Sequence, residues 1–141
     1  NAVQQYILAL NGTFNLQSFF ISLPVALLTT AILHANNTRD MPLDKQSGIK
    51  TLSMILGLKR AKAYYYLLIG GSYLIEIIMI CAGYLPTWSL LILLSLPLAL
   101  KNIRLLKDVD QESLEKIAHL DVGTAQLTTL FSILSIIGFI L

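Results

Sequence analysis

Charge is scarce in this sequence. Asp, Glu, Lys and Arg make up 13% of its 141 residues, hydrophobic residues make up 55%, and the mean hydropathy is +0.71. A water-soluble domain carries about 25% charged residues, so the chain reads as a membrane protein. A net charge of +2 is too small for a nucleic-acid partner, and basic residues beside apolar runs are better explained by membrane topology. The single cysteine, Cys81, excludes an internal disulfide and, lying in an apolar run, says nothing about redox compartment. The two histidines, His34 and His119, have no companions at zinc-ligand spacing and read as interfacial packing residues. Soluble domains, linkers and low-complexity segments are also missing, which leaves one membrane domain over residues 1–141.

What is present is a series of long apolar runs. Residues 1–10 are apolar but short of the roughly 20 that cross a bilayer. They read as the tail of a helix, without the basic start of a signal peptide, and the opening Asn1 points to preceding sequence. Asn11 to Asn15 is a turn. Full spans are expected at about 16–34, 64–84, 88–106 and 124–141, separated by polar connectors at 35–63 and 107–123. Pro24 predicts a kink in the first span. Ile49, Leu52, Ile55 and Leu56 recur at helical spacing and predict a short amphipathic helix stopped by Gly57. Gly70, Gly71 and Ser72 offer a small-residue patch for close helix contact, and Trp88 an interfacial anchor. Tyr64, Tyr65 and Tyr66 read as an aromatic belt. Leu114, Ile117 and Ala118 suggest a further surface helix. Every lysine and arginine falls in 39–62 or 101–116, which places both connectors on the cytoplasmic side, or its stromal equivalent.

The chemistry-bearing stretch is Asn36-Asn37-Thr38-Arg39-Asp40-Met41-Pro42-Leu43-Asp44-Lys45. Asn36, Asp40 and Asp44 are four apart, so on one helix they share a face. Oxygen ligands at that spacing suit Mg2+, which takes one or two carboxylates and completes its shell with water and phosphate oxygens. Pro42 falls between the acids and threatens that common face, so Asp44 could approach from a loop or a new helix. Taken by itself, a polar cluster at the end of a span also fits a solvated stop.

The pattern Asn36-Asn37-x-Arg39-Asp40-x-x-x-Asp44-x-x-x-Gly48-x-x-Thr51-Leu52, followed by Leu56-Gly57, resembles the second aspartate-rich motif of the UbiA superfamily of intramembrane prenyltransferases. Its Asn-Asn-x-Arg-Asp form is most similar to the branch that prenylates 1,4-dihydroxy-2-naphthoate in menaquinone and phylloquinone synthesis and to its animal relative. Pro97-Leu98-Ala99-Leu100-Lys101 and Thr124-Ala125-x-Leu127 resemble shorter signatures of that branch. The resemblance implies an all-α polytopic transmembrane bundle that forms the C-terminal half of a fold of about nine helices. It also implies a polyprenyl diphosphate donor, an aromatic acceptor and a Mg2+ cofactor, in a bacterial plasma membrane or an organellar membrane.

On that reading Asp40 and Asp44 are catalytic metal ligands, Asn36 completes the metal face, and Arg39 and Lys45 contact phosphate oxygens, Arg39 in bidentate fashion. Lys101 is a weaker diphosphate candidate, because Lys101, Arg104 and Lys107 also fit topology anchors. Asn37 belongs to the motif without an assigned role. The family's first aspartate-rich motif is not in this sequence, so the missing N-terminal half would have to come from the same or another chain, and this segment alone would be inactive. Two other readings stay open: an inactive structural subunit of a membrane complex, and a small transporter built on Glu76. Glu76 stands alone in an apolar span, where an ionisable residue is a functional suspect that needs an interhelical partner.

Overall fold

The computed structural model describes residues 16–141, so the expected stub and the turn after it lie outside the described residues. Five α-helices and two 3-10 segments follow one another: α1 (Leu16–Arg39), α2 (Met41–Gln46), α3 (Leu52–Cys81), a 3-10 run (Thr87–Ser95), α4 (Leu96–Lys107), a 3-10 turn (Leu114–Ile117) and α5 (Leu120–Ile140). There is no strand among the described residues. Four stretches are long and apolar enough to cross a membrane: Ser18–Arg39, Leu52–Cys81, Thr87–Lys107 and Leu114–Ile140. α1 packs along α3 and α5, and α5 also packs against the 3-10 run. Leu28, Tyr65, Ile69, Ile92, Leu127 and Phe131 fill the space between them.

The helix boundaries depart from the hydropathy reading in an informative way. α1 stays one helix through Pro24 and continues past His34 to Arg39, so the start of the polar motif is the last turn of a membrane helix. Gly57 interrupts α3 with φ 69° and ψ 158°, a backbone region open to glycine, and the helix then resumes. The amphipathic turn before Gly57 and the span after it are therefore one kinked element, and the span begins before Tyr64. In the third span Pro97 cannot donate to the carbonyl of Leu93 and its ring would clash there, so the α-helix starts only at Leu96 and the chain before it winds as 3-10. The Ser95 hydroxyl donates to the Ile92 carbonyl at 2.6 Å, which spends its proton, so the Tyr73 hydroxyl donates to Ser95 at 2.6 Å. The Leu93 carbonyl that Pro97 leaves free accepts the Leu96 amide through the 3-10 winding, the local adjustment that allows proline inside a membrane helix.

Close approach is uneven across the predicted small-residue patch. Gly71 faces Leu27 of α1, where an added Cβ would sit 3.3 Å from Leu27 Cδ1, and Ser72 is buried, but Gly70 faces open space. A tighter contact lies at the uncharged end: a Cβ on Gly138 would fall 2.6 Å from both the Trp88 carbonyl oxygen and the Ser89 Cα.

The charged end is tied by polar contacts that the hydropathy pattern does not announce. His34 is buried, not interfacial; its Nε2 donates to the Ala61 carbonyl at 2.8 Å, and Tyr64 meets the imidazole edge-on at 4.9 Å. Thr38 gives its proton to the His34 carbonyl at 2.7 Å, so Ser53 donates to Thr38 at 3.0 Å. These bonds fasten α1 to both sides of the Gly57 kink. Lys62 donates to the Lys107 carbonyl at 2.9 Å and to the Val109 carbonyl, placing a cation on the C-terminal end of α4. Leu114 and Ile117 anchor the connector in the core.

Candidate functional site

The end of α1 and the whole of α2 carry the motif. The amide of Asp40 donates to the Asn36 carbonyl at 3.0 Å, and the amide of Asp44 to the Asp40 carbonyl at 2.9 Å. The helical spacing therefore runs through all three residues although the helix is formally broken at Asp40. Pro42 does not destroy it, because it sits in the first turn of α2, where its missing N–H has no partner to lose. Asp44 thus arrives on a new short helix, one of the two routes open from sequence.

Arg39 dominates the geometry. Its Nε donates to Asp40 Oδ1 at 2.7 Å and its Nη2 to Asp40 Oδ2 at 2.9 Å, a two-pronged fork. Nη2 also donates to Asn36 Oδ1 at 2.5 Å, and Nη1 donates to Asp121 Oδ2 at 2.7 Å and to the Ala118 carbonyl at 3.4 Å. One guanidinium thus gathers Asn36, Asp40 and Asp121. The hydrogen bond from Arg39 holds the Asp40 carboxyl below the usual carboxylate range, so it is ionised at neutral pH. These side chains are partly exposed, and such pairs contribute about 1 kcal/mol or less to stability. Positioning the carboxylates, not holding the fold, is the larger consequence.

Asp121 is the functional residue that sequence reasoning missed, because it falls in the connector expected at 107–123. α5 begins at Leu120 and takes Asp121 into its first turn, where a negative charge suits the helix N-terminus. That position is the one available signal, and it is weak.

The remaining candidates are dispersed. Asp44 is half-exposed and, among the described residues, makes no ion pair or side-chain hydrogen bond; the same holds for Asn37. Lys45 is exposed and lines a cavity of about 410 Å³ with Met41, Pro42, Met54, Gly57, Gln111 and Leu114. Neither Asp40 nor Asp44 lines that cavity. Lys101 is exposed on α4 and makes no contact with the Arg39 cluster. Glu76 is 1% exposed and accepts a hydrogen bond from Ser135 of α5 at 2.7 Å. It has the interhelical partner it needs. Tyr65 is also internal: Thr124 donates to the Leu120 carbonyl, so the Tyr65 hydroxyl donates to Thr124 at 2.7 Å.

The donors at the motif are all oxygen, which suits a hard cation and not a thiolate or imidazole metal. Among the described residues no group of three or more His, Cys, Asp or Glu side chains is gathered. Mg2+ needs only one or two carboxylates when phosphate oxygens complete the shell, and Asp40, Asp44 and the Asn36 amide oxygen are the residues that would hold it.

Sequence comparison decides the family. Residues 5–121 match the sequence model of the UbiA prenyltransferase family. The chain belongs to the UbiA prenyltransferase family. Relatives include 1,4-dihydroxy-2-naphthoate octaprenyltransferase of Bacillus subtilis, 31% identical over 128 residues that make up 90% of this chain and 40% of that protein. UbiA prenyltransferase domain-containing protein 1 of Danio rerio is 36% identical over 130 residues, 92% of this chain and 36% of its own length. The octaprenyltransferase of Escherichia coli is 32% identical over 111 residues, 78% of this chain and 36% of its own. No solved structure gives a significant match. The chain thus spans 40% or less of these UbiA relatives, and its four membrane-crossing stretches make it an integral membrane member of the family.

Proposed function

We propose that this chain is the C-terminal half of an intramembrane aromatic prenyltransferase, which transfers a polyprenyl group from its diphosphate to 1,4-dihydroxy-2-naphthoate in quinone biosynthesis. The observation that carries the proposal is the gathering of Asn36 and Asp40 on the Arg39 guanidinium at the end of a membrane helix, with Asp44 one i→i+4 backbone hydrogen bond further on. The names and identities of the Bacillus subtilis and Escherichia coli relatives support the choice of acceptor.

When bound, Mg2+ supplies positive charge to the diphosphate as it leaves with the bonding electrons of the allylic C–O bond. Asp40 and Asp44 hold that charge at the membrane edge, and the Asn36 amide oxygen adds a neutral donor. Lys45, exposed beside Asp44, reaches phosphate oxygens without competing for the carboxylates. The apolar spans keep water from the allylic cation until the ring carbon of the acceptor attacks it, and the ring then regains aromaticity by losing from that carbon its carboxyl group as CO2. The remaining wall of the site, including the family's first aspartate-rich motif, comes from the missing half. The concentration of lysine and arginine at the motif's end of the bundle supports a cytoplasmic or stromal site. Lys101 is assigned to topology and not to phosphate.

The full-length protein in proteoliposomes tests this with a labelled polyprenyl diphosphate and either 1,4-dihydroxy-2-naphthoate or 4-hydroxybenzoate. Prenylated naphthoate should form with Mg2+ and stop with EDTA. Equal turnover in EDTA contradicts the metal assignment, and transfer to 4-hydroxybenzoate alone contradicts the acceptor. Folded protein that transfers to neither is the structural subunit instead.

A further inference from the structure

We propose that Asp121 and Arg39 form a positioning pair that aims Asp40 and Asn36 at the metal, and that Arg39 is not a phosphate contact. The proposal rests on the metal-diphosphate reading above and deepens it. A guanidinium has five N–H donors. In Arg39 all five are used: two on Asp40, one on Asn36, one on Asp121 and one on the Ala118 carbonyl. A phosphate oxygen would find no donor free unless one of these bonds broke.

Three of the five bonds go to Asn36 and Asp40 of the motif, and the other two go to Asp121 of α5 and to Ala118 at the end of the 3-10 turn before it. Asp121 is itself fixed, because its Oδ1 accepts the Val122 amide at 2.9 Å while Oδ2 takes Arg39. A carboxylate held by its own helix therefore sets the plane of the guanidinium. The guanidinium in turn sets the Asp40 carboxylate and the Asn36 amide oxygen, leaving their remaining lone pairs for a cation. Partners that orient a metal ligand without touching the metal change its affinity by about 10–100-fold when removed. Asp121 also offsets the Arg39 charge, which would otherwise repel the same cation.

Mn2+ bound to purified full-length protein, counted by electron paramagnetic resonance with and without pyrophosphate, reads this without requiring turnover. Asp121→Asn should weaken Mn2+ binding in the presence of pyrophosphate by about 10-fold or more. Asp121→Glu, which keeps the ion pair, should stay within about 3-fold of wild type and guards against a folding defect in the amide variant. In an Arg39→Ala background, Asp121→Asn should add nothing. Wild-type affinity in Asp121→Asn overturns the proposal, as does equal weakening by the Asn and Glu variants. An undiminished effect in the Arg39→Ala background overturns it too, since Asp121 would then act directly. Wild-type protein that binds no Mn2+ with pyrophosphate instead removes the parent reading, and this one with it.

Discussion

Asp40→Ala in the full-length protein is expected to lower prenyl transfer by about 100-fold or more, the scale seen when one charge-stabilising group or metal partner is removed. Two losses combine. The Asp40 carboxylate is gone, and with it a ligand for the cation on the departing diphosphate. The Arg39 guanidinium also loses two of its five acceptors and one of its two counter-charges, beside the place where a cation should sit. Asp40→Asn separates the two effects, because the amide oxygen can still accept from Arg39 but carries no charge; it should recover little activity. Folding should survive in both variants, since Arg39 keeps Asp121 and Asn36 and the exposed pair adds little stability. Thermal unfolding in detergent checks that, and an unchanged melting temperature with lost turnover is the expected pair of results.

Gly138→Ala should damage the fold more than any loss of charge at the site. A methyl group there would meet the Trp88 carbonyl oxygen and the Ser89 Cα at 2.6 Å, and these are backbone atoms that cannot rotate away. Overpacking of this kind costs about 1–3 kcal/mol, and the rigidity of the obstacle argues for the upper end. The helix-propensity gain of alanine over glycine, roughly 1 kcal/mol, does not offset it. Gly70→Ala is the matched control: the site is helical, exposed and open, so it should be neutral or slightly stabilising. Equal melting temperatures for the two variants would mean that α5 does not lie this close to the 3-10 run.

The four spans and the all-helical architecture are legible from hydropathy because the bilayer demands long apolar runs, and the motif is legible because its polar residues interrupt one. The ends of the elements are not. Nothing local tells that Asn36 to Arg39 extend a membrane helix, since a polar turn costs little at the water interface. The winding of Thr87–Ser95 follows from Pro97, which denies Leu93 its α-helical donor, and its tie to α3 is a tertiary contact between Tyr73 and Ser95. Asp121 was hidden for a similar reason: its partner is 82 residues away in sequence, and a connector full of charges gives no sign of which one turns inward. Lys62 shows the converse, a cation that charge counting assigns to topology and that the fold spends on the end of α4.

Binding of Mn2+ in the presence of pyrophosphate, compared between full-length wild type and the Asp40→Ala, Asp44→Ala double variant, tests most directly whether the motif grips a metal-bound diphosphate. Wild type should take up Mn2+ in a pyrophosphate-dependent manner and the double variant should not. Indistinguishable uptake by the two proteins would contradict the assignment of this motif as the diphosphate site.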